Sequence, residues 1–372
     1  MLAASLFGCS SQAEQAGANV GNTDGANHVT SGGPLPVWIT KEERAMQRSL
    51  SFNDDEPTGS APPAGYRVPA EYEPVDAVLI TWRDYTEVLG QVAVASAAAG
   101  AQVLTVSGPA SIPGVPANRY RRLGYTSNTA WSRDYGPVGI DDSTHMLGIV
   151  DTRYAGYATR PADDAMPCKV ANTLDARCYT TSLVLDGGNY MTDGRGNVFL
   201  TNVVYEWNSR LSREAVDEAL KRYVGARKVH ALDYAANPDG EPADGTGHID
   251  MFAKLVGECK VIVAQTSDEP FKSTTDKAAT YFRNLACGRG QYEVTRVKGW
   301  VSEGTWYTYT NSLIVNDSVI VPFYDDAEKN EEARRAYESA MPGYRVVGIN
   351  SESTIHSGGS IHCLTKEIPA IR

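Results

Sequence analysis

Five polar residues recur along the chain at near-even steps, each just ahead of a strand–turn–strand pattern. They are Asp134 in WSRDYGP, Asn189 in LDGGNYMTDG, Asp250 in GHIDMFAKL, Asn311 in TNSLIVNDSV and Cys363 in GGSIHCLTK. By subtraction the intervals are 55, 61, 61 and 52 residues. A supersecondary unit repeated with one reactive group per copy limits the fold to a few arrangements. An open array would scatter the five residues, whereas a closed ring gathers them. The spacing therefore predicts a ring with its chemistry at the centre.

The units share an internal order. Residues 188–201 read as two strands joined by the Gly-rich turn Asp193-Gly194-Arg195-Gly196, and residues 249–264 and 311–323 repeat that hairpin. Helix patterns follow at 212–223, capped by Ser212 and stopped by Gly225, at 273–286 with a capping box from Ser273 to Asp276, and at 326–341 before Pro342-Gly343. A fourth helix is predicted over 85–99, and each helix leads into a further strand. Between residues 150 and 181 no clear helix is expected; a two-cysteine loop takes its place. The strand at 77–82 has no preceding partner and the one at 360–368 no following partner, so pairing the two ends completes a fifth unit.

The 372 residues are enough for a large core, and no run of about 18 apolar residues marks a membrane span. A formal charge of −11 argues against nucleic acid and for cationic ligands. Residues 1–9, MLAASLFGC, look like part of a lipoprotein signal with a lipid anchor through Cys9, which predicts an exported protein, either a cell-envelope lipoprotein or secreted. Residues 10–65 read as a flexible tether and loose N-terminal segment, leaving 66–372 as the catalytic domain. Apart from Cys9 and Cys363, four cysteines allow three pairings, of which Cys168–Cys178 with Cys259–Cys287 is the simplest; free buried thiols are the alternative.

The small-residue approach Gly358-Gly359-Ser360 lets Cys363 stand against a ligand as a nucleophile. His362 is adjacent and on a strand would face away, so His248 is the better proton carrier. Two carboxylates, Asp134 and Asp250, in one cavity are costly unless the substrate supplies the cation. A guanidinium fits, being planar and able to meet carboxylates bidentately. Trp131 is placed to cover its face. Each has a plainer reading: Asp134 in a surface pair with Arg133, Asn189 and Asn311 bonding turn backbone, Trp131 in the core. His248, Asp250 and Cys363 lack a metal-ligand spacing, and the surroundings of Cys363 do not suit a papain-like hydrolase.

At WSRDYGP, the Gly-Gly of LDGGN, HID at 248–250 and GGSIHC at 358–363, the chain resembles the bacterial peptidylarginine deiminase and agmatine deiminase family, Porphyromonas-type, of the guanidino-modifying superfamily. The resemblance implies a five-bladed, pseudo-fivefold α/β propeller closed by its N- and C-terminal strands, and no cofactor. It implies that Asp134 and Asp250 clamp the guanidinium, His248 shuttles protons, Cys363 attacks the guanidino carbon and Asn311 stands near the nucleophile. Gly188 and Asn189 are assigned to substrate binding. Arg160, and after it Arg153, are the candidates to hold a substrate carboxylate. Arginine-containing peptides or small guanidino compounds are the implied ligands, with deimination of peptidyl arginine to citrulline favoured and agmatine deimination the alternative. Agmatine deiminases usually carry Glu where this chain has Asp186. A non-catalytic binding protein and an amidinotransferase are the remaining readings.

Overall fold

The computed structural model describes residues 33–49, 57–288 and 290–371. The lipoprotein-like signal, Cys9 and most of the tether lie outside them. Among the described residues, five sheets share one topology: an antiparallel pair, in four of them a hairpin, whose second strand pairs in parallel with a later strand. In chain order the first three-stranded sheet is Val138–Asp141, Leu147–Arg153 and Arg177–Val184. The next are Met191–Thr192, Asn197–Thr201 and Lys228–Leu232, and then Ala253–Gly257, Lys260–Gln265 and Glu293–Lys298. The fourth is Leu313–Val315, Ser318–Phe323 and Arg345–Asn350. The fifth joins the chain ends: Thr365–Pro369 pairs antiparallel with Val75–Thr81, which runs parallel to Gln102–Val106 and on to Tyr120–Leu123. The expected pairing of the ends is present.

Local chemistry explains the elements. Middle strands such as Ser318–Phe323 are apolar and buried on both faces, as a covered parallel strand requires. The helix Arg213–Val224 starts where Ser212 accepts the Ala215 amide and stops at Gly225, whose φ of 72° suits a residue without Cβ. Asp326 likewise caps Ala327–Ala340 through the Lys329 amide. Both expected disulfides form, Cys168–Cys178 and Cys259–Cys287. No helix among the described residues is long and apolar enough to cross a membrane.

Three expectations need correction. The helix predicted from Ser273 spans Phe271–Asn284, because the Ser273 hydroxyl and amide bond Glu269 instead of forming a cap. The stretch expected to lack helix contains Pro161–Asp164 and Met166–Thr173, each opened by a proline in its first turn, with Cys168 inside the second. The folded body does not begin near Tyr66: residues 34–46 pack on it, with Pro36 and Val37 buried and the helix Lys41–Ser49 opening at a Thr40–Glu43 capping box.

Deleting the last ten residues removes Thr365–Pro369 and leaves Val78, Leu79 and Ile80, all fully buried in the intact chain, without their neighbour. Such a chain is expected to lose its cooperative thermal transition in circular dichroism.

Candidate active site

Each of the five repeated residues sits in a short turn just ahead of the first strand of an antiparallel pair. Asp134 lies in Ser132–Tyr135, Asn189 in Gly187–Asn189 and Asp250 in Ile249–Met251; Asn311 and Cys363 occupy turns before Leu313–Val315 and Thr365–Pro369. These turns touch one another in a closed cycle. The Gly188 amide donates to Asp134 Oδ1 at 3.1 Å, and Gly187–Asn189 meets Ile249–Met251. Asn311 Nδ2 lies 3.1 Å from both Asp250 Oδ2 and Cys363 Sγ, and the Arg133 amide donates to the Cys363 carbonyl at 3.1 Å.

Gly188 shows how tightly the groups converge. A Cβ there would lie 2.5 Å from His248 Nδ1, 2.7 Å from Asp134 Oδ1 and 3.2 Å from Asp250 Oδ2. His248 stands between Asp134 Oδ1 and Asp186 Oδ2, 3.5 Å from each. Burial opposes its charge, but Asp134, Asp186 and Asp250 outweigh burial and raise its pKa to about 9. Burial, with the charges of Asp186 and Asp250, pushes Asp134 up to about 8 against the pull of His248. Burial and the same two carboxylates that flank it, Asp250 and Asp134, push the Cys363 thiol well above its ordinary range, while Asn311 works the other way. Asp250 is held low: burial opposes ionisation, but the hydrogen bond and charge of His362, with His248 and Arg133, prevail.

Polar atoms are left over. Asp134 Oδ2, Asp250 Oδ1 and His248 Nδ1 are buried without a hydrogen-bond partner. A buried acceptor left unpaired costs on the order of 1–3 kcal/mol, more when charged. Two such oxygens beside a thiol and an imidazole make a receptor for a planar cation rich in N–H donors.

Of the expected site residues, Asp134, Gly188, His248, Asp250, Asn311 and Cys363 come together. Asn189 does not join them as a ligand: its Oδ1 accepts the Thr201 amide at 2.9 Å and its Nδ2 points to the Thr201 carbonyl, tying turn to strand. Trp131 is fully buried, donating Nε1 to the Leu35 carbonyl at 2.9 Å and packing on Tyr85, and its ring reaches the nucleophile: a Cβ on Gly359 would lie 3.0 Å from the ring and 2.9 Å from Cys363 Sγ. Arg160 is fully buried and engaged by Glu43, Tyr154 and the carbonyls of Pro36 and Trp38, so it has no donor to offer a substrate carboxylate. Arg153 lines the cavity and lies over the Tyr157 ring.

Four groups went unassigned in the sequence. His362 bridges Asp250 Oδ2 at 2.6 Å and Glu71 Oε2 at 2.8 Å. The strand argument against it fails because residues 360–364 form a turn, with Leu364 N bonded to Ser360 O; the paired glycines before it were the signal. Glu71 also meets Lys254 and the Ile314 amide, and nothing local in its sequence marks it. Trp207 stands edge-on to His248 with ring centroids 5.7 Å apart. Asp186 is fixed by the Ala155 amide at 2.7 Å. A cavity of about 680 Å³ leads from His248 and Asp186 outward past Trp38, Trp207, Arg153 and Arg44.

Residues 67–369 match the family model of the Porphyromonas-type peptidyl-arginine deiminase. The agmatine deiminase of Medicago truncatula is 26% identical over 366 residues, covering 82% of this chain and 97% of that protein. The solved agmatine deiminase of Enterococcus faecalis superposes with a TM-score of 0.74 at 24% identity, over 85% of this chain and 99% of that one. That of C. jejuni superposes at 0.67 and 17%, over 87% and 100%. With the family match spanning most of the chain, the protein belongs to the Porphyromonas-type peptidyl-arginine deiminase family, whose members are guanidino-modifying hydrolases.

Proposed function

We propose that the protein hydrolyses the guanidino group of a small guanidinoalkyl compound, agmatine foremost, to a ureido product (N-carbamoylputrescine from agmatine) and ammonia. The observation that carries this reading is the pair of buried, unpartnered carboxylate oxygens, Asp134 Oδ2 and Asp250 Oδ1, beside the thiol of Cys363 and the imidazole of His248. The named relatives support agmatine over peptidyl arginine, and with Arg160 engaged elsewhere the foremost carboxylate ligand expected for an arginine substrate is lost. Arg153 and Arg44 on the cavity wall support a second reading, deimination of an arginine residue to citrulline, although Arg44 is paired with Glu241.

In this reading the guanidinium supplies the charge that the two carboxylates lack. Its arrival cancels their effect on Cys363, and the thiol loses its proton to solvent. The thiolate bonds to the guanidino carbon. His248, as imidazolium, protonates the departing nitrogen, the C–N bond breaks, and ammonia leaves an amidino-thioether on Cys363. Neutral His248 then takes a proton from water as its oxygen adds to that carbon. The C–S bond then breaks as the hydroxyl of the adduct gives up its proton to solvent, returning thiolate, imidazolium and the neutral ureido product. Asn311 fixes the sulfur, and His362 holds one oxygen of Asp250 so that the other faces the substrate. No resident cofactor enters any step.

The five like modules and the cycle of contacts among their turns support a pseudo-fivefold propeller. The two disulfides support an oxidising compartment, in keeping with an exported protein anchored through Cys9.

Cys363→Ala is expected to lower ammonia release from agmatine at least about a thousandfold, about 4 kcal/mol in the barrier. Asp250→Asn should cut kcat/KM by at least about a hundredfold, read by ammonia release with product mass. Alkylation of Cys363 by iodoacetamide in the ligand-free protein should be slow at pH 7. Because the thiol is raised in the folded state, its rate should go on climbing past pH of about 8.5, where an ordinary thiol levels off.

A further inference from the structure

Residues 34–46 lie N-terminal to the stretch matched by the family model, yet they bind the loops that carry the site. The Leu35 carbonyl accepts a hydrogen bond from Trp131 Nε1, and the Val37 amide donates to the Ser357 carbonyl at 2.9 Å. The Trp38 ring lies against two glycines. A Cβ on Gly358 would come within 2.5 Å of it, and one on Gly245 within 2.7 Å. One indole thereby spans the loop leading to Cys363 and the loop leading to His248, and both contacts require glycine.

A buried latch holds this strap. Arg160 Nε and Nη2 meet the two oxygens of Glu43 at 2.8 and 2.7 Å; its other donors reach the carbonyls of Pro36 and Trp38 and the Tyr154 hydroxyl, each at 3.0 Å. A guanidinium is tolerated out of water only when its donors are met, so the strap has a defined position. Val37, Trp38, Ile39 and Arg44 then form part of the wall of the cavity that ends at His248 and Asp186.

We propose that the strap is a specificity-determining wall of the active site, on which Trp38 and Ile39 take the methylene tail of a guanidinoalkyl amine while the Arg160–Glu43 latch fixes their place. The inference rests on the guanidino reading above and deepens it. An unsubstituted alkyl tail gains by leaving water against an indole and an isoleucine. An arginine flanked by peptide groups brings amides that would lose water there without finding partners, which disfavours it.

The test compares full-length protein with Trp38→Ala and Glu43→Gln, using agmatine and arginine capped at both ends. In Trp38→Ala the KM for agmatine should rise about tenfold, the loss falling mainly on KM, and the preference for agmatine over capped arginine should shrink by a similar factor. Glu43→Gln should move both quantities in the same direction. Alkylation of Cys363 by iodoacetamide, which needs no turnover, should be several-fold faster in both variants. An unchanged preference, or a fall in kcat with KM untouched, would overturn the proposal. If the parent protein consumes neither compound, the functional reading fails on its own account. Unchanged alkylation rates would then dispose of the strap separately.

Discussion

Asp134 and Asp250 are carboxylates held out of water around a common point, and each keeps one oxygen without a partner. Like charges buried together raise the proton affinity of one of the pair. The protein answers on one side only. His362, braced by Glu71 and in turn by Lys254, ties down Asp250, which stays ionised; Asp134 has the Gly188 amide and His248 at 3.5 Å, and burial with the neighbouring carboxylates still pushes it toward its neutral form. Such a site favours an added cation, and in the proposed function the substrate guanidinium supplies it. The raised thiol of Cys363 belongs to the same imbalance.

That imbalance persists because the surrounding sheets leave the groups no room to part. Four hairpins and one pair of strands from the two chain ends bring five turns to one place, the C-terminal strand closing the set by pairing with Val75–Thr81. Gly188 and Gly359 matter for the same reason. A Cβ at Gly359 would fall 2.9 Å from Cys363 Sγ, so both positions keep side chains out of the space between the site groups. Outside this centre the N-terminal strap adds a layer that the family match does not contain, held by an arginine that has nothing left for a substrate.

The repeat, the hairpins and most helix ends were legible because each rests on local chemistry: the Asp193 turn, Ser212 and Asp326 bond backbone within a few residues, and Gly225 ends its helix by its own φ. Asp134, His248, Asp250 and Cys363 were legible because their types make sense only together. Asn189 shared the spacing but not the chemistry, since a side chain at the same place in the repeat can equally tie its own strand. Arg160 and residues 34–46 were misjudged for one reason. A stretch rich in Gly, Ala and Ser runs into Leu35-Pro36-Val37-Trp38-Ile39, and its burial depends on an arginine more than a hundred residues away. Glu71 and His362 depend on contacts just as remote.

The central claim is that a guanidinium supplies the charge missing at Asp134 and Asp250. Calorimetric titration of the Cys363→Ser variant with agmatine at pH 7, repeated in buffers of different ionisation enthalpy, counts the protons exchanged on binding without turnover. With Asp134 raised to about 8 in the free protein, the arriving cation should drive its proton off while His248 stays imidazolium, and binding should release that proton. Binding with no proton release, or no binding of agmatine at all, would contradict the account.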